Sequence, residues 1–481
     1  MTSKNVVILV MDTVRMDAVS RSSSDLDSVL SESTRYNQTF TSAPWTLPSH
    51  GSLFTGTTPS FHGAHAAHKH LDDGLTLLPE ILQDEGYETV AVSNNTWISE
   101  EFGFNQGFET FFKTWQYVQS DTDLGKIAQT ENGMNMFREA AKTIFNGNPV
   151  TNLANAIYGQ FFRKTDDDGA ARTNEWIRDW LISRDDSRPF FLFVNYLEPH
   201  LEYRPPESYA TDHLPDEISY AEAMKISQDA WGYIANCVEI SDKKLEILRA
   251  LYHAEISYLS EKIEEIIRLL KTTGEWEDTL FVVTSDHGEN IGDHGLMDHQ
   301  YALYDTLLHV PLFIHGGPFG RKEINDLVQL VDIPPTILDV LDIDASGVRE
   351  QFQGVSFHPD TEETREYIVS EYMAPQPSMD ALETKIGDLP DHMWEYDRSL
   401  RAIRTNEWKL IRGSDGSREL YNMEDDPEEK VDHKTEYPEI VDDLDSTLDN
   451  WLNSFESAEK SDDVEMQQNT KSRLEDLGYL Q

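Results

Sequence analysis

Continuous apolar runs recur along the chain: "NVVILV" (5–10), "TVAVS" (89–93), "PFFLFVNYL" (189–197), "TLFVVTS" (279–285) and "VPLFIH" (310–315). Such runs, short and without polar alternation, predict strands buried on both faces, as in a parallel sheet covered by helices. Between them the apolar residues take helical spacing. "LTLLPEILQDEGY" (75–87) ends on Gly86, and the long amphipathic run "EILRALYHAEISYLSEKIEEIIRLLKTTGEW" (246–276) stops at Gly274. The alternation predicts an α/β fold built on a doubly wound, mostly parallel sheet. Residues 114–170 and 206–245 break the rhythm with polar, helix-leaning sequence, and are expected to be insertions that form a lid or rim. Past residue 345 the pieces shorten to "YIVSEY", "AIRTNEWKLIR" and "SRELYNM", followed by the acidic helix "PEIVDDLDSTLDNWLNSFE". The expected organisation is a large unit over 1–345, a smaller C-terminal α+β subdomain over 346–456 and a polar tail over 457–481.

In open parallel sheets ligands bind beyond the carboxyl ends of the strands, so the residues that follow each run are the ones to read. "VVILVMD" delivers Asp12, "FLFVNYLEPH" delivers Glu198 and His200, and "LFVVTSDHGE" delivers Asp286 and His287. Asp12, Asp286 and His287 make an oxygen and nitrogen donor set suited to Zn, Mn or Mg rather than a thiolate site. A divalent cation there lowers the pKa of a bound hydroxyl by several units.

The stretch "SAPWTLPSHGSLFTG" (42–56) supplies a candidate hydroxyl. Thr46 precedes "LPSHGSLFTG" as the expected N-cap of a helix over 47–55, where free backbone N–H groups favour an anion. Cap and metal-activated nucleophile are compatible roles for that one residue.

Composition narrows the class. Asp and Glu outnumber Lys and Arg by 88 to 39, for a formal net charge of −49 spread along the whole chain. That excess repels phosphate backbones and anionic lipid, which argues against nucleic acid or a membrane surface as partner. It also suggests a salty cytoplasm, where screening tames self-repulsion. Cys237 is the only cysteine, so no internal disulfide can form. The apolar N-terminus is too short for a membrane span and reads as a strand. A cytoplasmic location is expected.

Taken in order, the segments resemble the sulfatase branch of the alkaline phosphatase superfamily over nearly the whole length. "NVVILVMDTVRMD" resembles the family's opening strand and metal-binding acid, and "TLPSHGSLFTG" its nucleophile signature. "TSDHGENIGDHG" is similar to the second metal segment, and "HQYALYDTLLHVPLFIHGG" to the stretch with a sulfate-contacting Lys or His. "WKLIR" with "ELYNMEDDPEE" resembles the C-terminal subdomain. The resemblance implies that Asp12, Asp286 and His287 ligate one divalent metal (Zn, Mn, Mg or Ca), with Thr46 as nucleophile and further ligand. It implies that His50, in place of a signature arginine, steadies the nucleophile, and that His200 and His299 contact the transferred group or protonate the leaving oxygen. Arg15, Asn94 and Asn95 fall where substrate-binding or ion-pairing residues are expected.

The departures shape the expected chemistry. Sulfatases oxidise Cys or Ser at the nucleophile position to formylglycine; Thr46 cannot yield that aldehyde, so no formylglycine is expected. Thr13 replaces the usual second acid, and "SNNTWIS" replaces a block that carries a lysine and a histidine. These changes resemble the Thr-using phosphotransferases and phosphodiesterases of the superfamily. The leading reading is a metal-dependent hydrolase or transferase acting on a phosphate or sulfate ester, small molecule or glycan, through Thr46. Two readings stay open beside it: a true sulfatase using unmodified Thr, and a catalytically silent anion- or glycan-binding protein. "FHGAHAAHKH", with His62, His65, His68 and His70, is expected to be a surface loop near the site rather than a second metal site.

Overall fold

The computed structural model describes residues 5–21, 25–114, 167–184, 187–458 and 474. An eight-stranded sheet runs in the order β10-β2-β9-β6-β1-β5-β3-β4. Its strands are β1 (Asn5–Met11), β2 (Thr34–Phe40), β3 (Glu88–Ser93), β4 (Thr110–Lys113), β5 (Phe190–Tyr196), β6 (Thr279–Ser285), β9 (Leu312–His315) and β10 (Lys322–Gln329). A hairpin of β7 (Asn290–Ile291) and β8 (Met297–Asp298) stands apart from it. Each of the five predicted apolar runs is a strand of the large sheet.

Central β1 pairs in parallel with β5 on one side and β6 on the other. Its residues divide by parity: Val6, Ile8 and Val10 enter one core cluster, while Val7, Leu9 and Met11 enter the other. Both faces are therefore covered, which is why the run shows no polar alternation. The run at 310–315 forms β9, which lies antiparallel to both β6 and β2. Apolar periodicity reports burial and is silent on strand direction. Strands β2 and β10 escape a search for apolar runs because their sequences, "TRYNQTF" and "KEINDLVQ", mix polar residues with partly exposed positions, β10 at the sheet edge and β2 next to it.

The long helix spans Asp242–Thr273, starting four residues before the predicted run, and closes on Gly274 at φ +83°. The other predicted helix is shorter, Leu78–Asp84. Within 206–245 lie three short helices, Glu207–His213, Tyr220–Ala223 and Ala230–Ile234. The insertion predicted at 114–170 lies almost wholly outside the described residues. Of the predicted tail, Leu474 is fully buried in the larger core cluster, so that position is not part of a polar surface.

The C-terminal region forms a separate antiparallel sheet of β11 (Ile368–Tyr372), β12 (Leu400–Arg404), β13 (Trp408–Gly413) and β14 (Arg418–Asn422). Helix Pro438–Leu452 lays Leu444 and Leu448 against Val369, Ile403, Leu410 and Leu420 of that sheet. No helix among the described residues is long and apolar enough to cross a membrane.

A chain carrying −49 charges is expected to melt higher in salt. The Debye length falls from about 30 Å at 0.01 M to about 3 Å at 1 M, so repulsion across the molecule collapses over that range. Scanning calorimetry in KCl should show the melting temperature rising by on the order of 10 °C, since a few kcal/mol moves a melting point by several degrees. A flat profile would contradict adaptation to a salty interior.

Candidate functional site

The carboxyl ends of β1, β3, β5 and β6 bring the predicted residues to one place. Met11 lies opposite Ser285 in the parallel register, so Asp12 and Asp286 leave adjacent strands side by side. Asp12 N–H donates to Tyr196 O at 3.0 Å, and Asn95 N–H donates to the Asn195 side-chain oxygen at 3.0 Å, which locks the neighbouring ends. After Asp12 the chain turns through Thr13 at φ +63°, a conformation that costs a non-glycine residue roughly 1–3 kcal/mol. The turn is held by Thr13 N–H to Asp286 Oδ1 (3.3 Å) and by Tyr252 O–H to Thr13 O (2.8 Å). Gly288 closes the other side: a Cβ there would lie 2.1 Å from Thr306 O.

Thr46 opens the helix Thr46–Thr55, and here the structure corrects the expected cap. The N-cap is Trp45, in extended conformation, with no side-chain cap bond. Had Thr46 been the cap, its hydroxyl would accept from the N–H of residue 48 or 49. Pro48 has no N–H, and Ser49 N–H already donates to Trp45 O at 3.3 Å. The Thr46 hydroxyl is left for the site: it lies 3.4 Å from His287 Nε2 and accepts from Asn95 Nδ2 at 3.3 Å. Ser49 Oγ donates to Asp286 O at 2.7 Å and ties the helix to the end of β6.

Ligating atoms of Asp12, Asp286 and His287 all lie within 4.8 Å of one another, and the three side chains are buried. His287 Nδ1–H donates to Gly288 O at 2.9 Å, which leaves the Nε2 lone pair facing Asp12 Oδ1 at 3.6 Å and Asp286 Oδ2 at 3.4 Å. Neither of those carboxylate oxygens has a hydrogen-bond partner. A lone pair and two orphaned carboxylate oxygens facing one another at that range repel unless a cation sits between them. The donor set fits one divalent cation, with the His tautomer fixed as a ligand requires.

Burial pushes the Asp12 carboxyl up from 3.8 to about 7, against the Asn95 hydrogen bond, which lowers it. Burial likewise raises Asp286, with Asp12 adding to the effect, and lowers His287. A raised carboxyl favours the metal-free fold at low pH, and that contribution is lost as pH rises through about 7. Cation binding needs the ionised form. The gain in melting temperature on adding Mn²⁺ should therefore be larger at about pH 8 than at about pH 5.5. An equal gain at the lower pH would remove Asp12 from the ligand set.

The remaining predicted residues divide. His50 is fully buried; its Nδ1–H donates to Thr46 O at 2.9 Å, and its ring packs edge-on against Phe54, Phe104 and Phe193. Burial lowers its pKa to about 4, so it supports the helix start as a neutral ring and not as a cation. The His299 ring lies tilted to His287 and edge-on to His200, with centroids 4.5 and 5.2 Å away. Burial lowers the His299 pKa, but Asp298 at 2.6 Å and Glu289 at 3.7 Å outweigh it and hold the imidazole well above its ordinary range. Asn95 bridges Asp12 Oδ2 (2.5 Å) and Thr46. Its neighbour Asn94 instead accepts from Thr173 Oγ1 at 2.8 Å. Arg15 bonds Asp17, Asp293 and the Glu289 carbonyl, the ion-pairing role and not a contact to the trio. Glu198 Oε1 accepts from Asp168 and Ala170 N–H at 3.1 Å each, capping the helix Ala170–Ser183. In the histidine-rich loop, His62 Nε2 meets Ser52 Oγ at 3.2 Å, while His68 and His70 both face Asp72.

Sequence reasoning missed Glu289 and Asp298. Glu289 sits in a quoted segment and Asp298 directly precedes another, so the signal was the acid before His299.

A family model described as Sulfatase matches residues 4–343. The chain is similar to Arylsulfatase K of Bos taurus, 23% identical over 87% of this chain and 75% of the relative. It is also similar to the Arylsulfatase of Clostridium perfringens, 24% identical over 91% of this chain and 92% of the relative. Choline-sulfatase of Rhizobium meliloti is 24% identical, over 84% of this chain and 76% of the relative. In fold, the chain is similar to the phosphonate monoester hydrolase of Agrobacterium radiobacter at TM-score 0.67, with 18% identity over 94% of this chain and 96% of that one. A 2-O GAG sulfatase aligns at TM-score 0.66, with 16% identity over 94% of this chain and 92% of that one.

Proposed function

The chain belongs to the sulfatase family of ester hydrolases, and from that premise we propose a metal-dependent enzyme that cleaves a phosphate or sulfate ester through Thr46. The observation that carries the reading is the Thr46 hydroxyl, free of any capping bond and 3.4 Å from the lone-pair nitrogen of His287 beside two orphaned carboxylate oxygens. A divalent cation held by Asp12, Asp286, His287 and Thr46 would supply charge neutralisation and a lowered hydroxyl pKa.

The chain's own residues do the rest. Asn95 spans Asp12 and Thr46 and so fixes the direction of the attacking oxygen. His50 and Ser49 hold the first turn of the helix in place. Thr46 gives up its hydroxyl proton to solvent and its oxygen attacks phosphorus or sulfur; the bond to the alcohol oxygen breaks, and that oxygen takes a proton or hydrogen bond from the His299 side. Help of this kind is typically worth about 10²–10⁴-fold. Water then cleaves the threonine ester and restores the hydroxyl.

Thr46 has no route to an aldehyde, which favours phosphate esters. The relatives are named for sulfate esters, and that supports the second reading, sulfate cleavage by unmodified threonine. A panel of aryl phosphate monoester, diester, phosphonate and sulfate in molar KCl with Mn²⁺, Zn²⁺, Mg²⁺ or Ca²⁺ separates them. Phosphate-ester turnover is expected to dominate. A wide margin for aryl sulfate would establish the second reading, and no turnover on any ester would point to a silent anion-binding protein.

A further inference from the structure

We propose that this chain binds a second divalent cation, held by Glu289, Asp298 and His299 beside the first trio. The ligating atoms of these three buried residues lie within 4.8 Å of one another. The β7–β8 hairpin builds the set: Asn290 pairs with Asp298, so Glu289 at the start of one strand faces Asp298 and His299 at the end of the other. His299 Nδ1 is 2.6 Å from Asp298 Oδ1 and 3.7 Å from Glu289 Oε1. Glu289 is 0% exposed, and neither of its carboxylate oxygens has a hydrogen-bond partner. A buried carboxylate left that way asks for a cation.

Charge leads to the same place. Asp12, Asp286, Glu289 and Asp298 form one buried neighbourhood, faced by the rings of His50, His287 and His299. One divalent cation leaves two of the four carboxylates to the His299 imidazole alone; a second, taking the place of its Nδ1 proton, balances all four and leaves the site able to accept an anionic ester. Like charges this close repel strongly in a buried site, so the balance matters. The rings of His287 and His299, one from each trio, are 4.5 Å apart, compatible with paired cations about 3.5–4 Å apart. The mixed nitrogen and oxygen donors suit Mn²⁺ or Zn²⁺. On binding, the Nδ1 proton of His299 leaves to solvent, and its Nε2–H remains as a donor to the ester.

The inference rests on the reading of Asp12, Asp286 and His287 as the first site. The test uses the full chain stripped with chelator, dialysed against excess Mn²⁺ and measured by elemental analysis and electron paramagnetic resonance. Wild type is expected to hold two Mn²⁺ with an exchange-coupled spectrum. Glu289→Gln should hold one, with the spectrum of an isolated ion, while Asp286→Asn depletes the first site. Saturation of the wild type at one uncoupled Mn²⁺ would overturn the second site and spare the first. No bound Mn²⁺ at all would overturn both. Retention of two ions by Glu289→Gln would also overturn the assignment. Should that variant fail to fold, as circular dichroism would show, the wild-type stoichiometry and coupling decide alone.

Discussion

Thr46→Ala is expected to lose about 10³-fold or more of turnover on the best substrate, the loss that follows removal of a nucleophile in other enzymes. The fold should survive. Thr46 makes no capping bond, and the helix start is held by Ser49 and by His50 donating to the Thr46 carbonyl, which alanine keeps. Thr46→Ser should retain a measurable part of the activity, because a hydroxyl stays within reach of Asn95 and His287. Denaturing quench during turnover of a phosphate ester should trap phosphate on Thr46, visible by mass spectrometry as a modified peptide. Near-full turnover by Thr46→Ala would reduce Thr46 to a helix-start residue. A sulfated peptide in place of a phosphorylated one would keep the nucleophile and change the substrate.

Much of this site is legible in the sequence because strand ends carry it. Asp12, Asp286 and His287 follow apolar runs that report burial on both faces, and parallel neighbours then place their ends together. Legibility fails where local chemistry has more than one outcome. Thr46 has the composition of an N-cap, yet Pro48 removes a donor and the cap moves to Trp45. Asn94 and Asn95 look interchangeable, but successive residues at a strand end point to opposite faces. One reaches Thr46 and the other reaches Thr173. Glu289 and Asp298 stayed hidden because short hairpins have no periodicity, and only the pairing of β7 with β8 brings them to His299.

Lys409 carries the second large effect, and it lies in the C-terminal sheet. Its side chain is 0% exposed and pairs with Asp305 and Glu429 at 2.7 Å each. Arg404 joins Asp305 at 3.3 Å. Asp305 begins the short helix Asp305–Leu308, whose Thr306 and Leu307 carbonyls accept from the N–H groups of Glu289 and Gly288 at 3.0 and 2.8 Å. The C-terminal sheet thus supports the segment that carries His287 and Glu289. Lys409→Met leaves Glu429 buried without its cation, and removal of one partner from such a pair costs about 3–5 kcal/mol. The pH sign follows from Glu429. Burial raises its carboxyl to about 7 even with Lys409 lowering it, and loss of the lysine raises it further. A raised carboxyl contributes stability below its ordinary pKa and loses it as pH rises, so protonation relieves the variant in acid. The drop in melting temperature for Lys409→Met should be larger at about pH 8 than at about pH 5.5. Equal melting of variant and wild type at the higher pH would show that the ion cluster does not hold the C-terminal sheet in place.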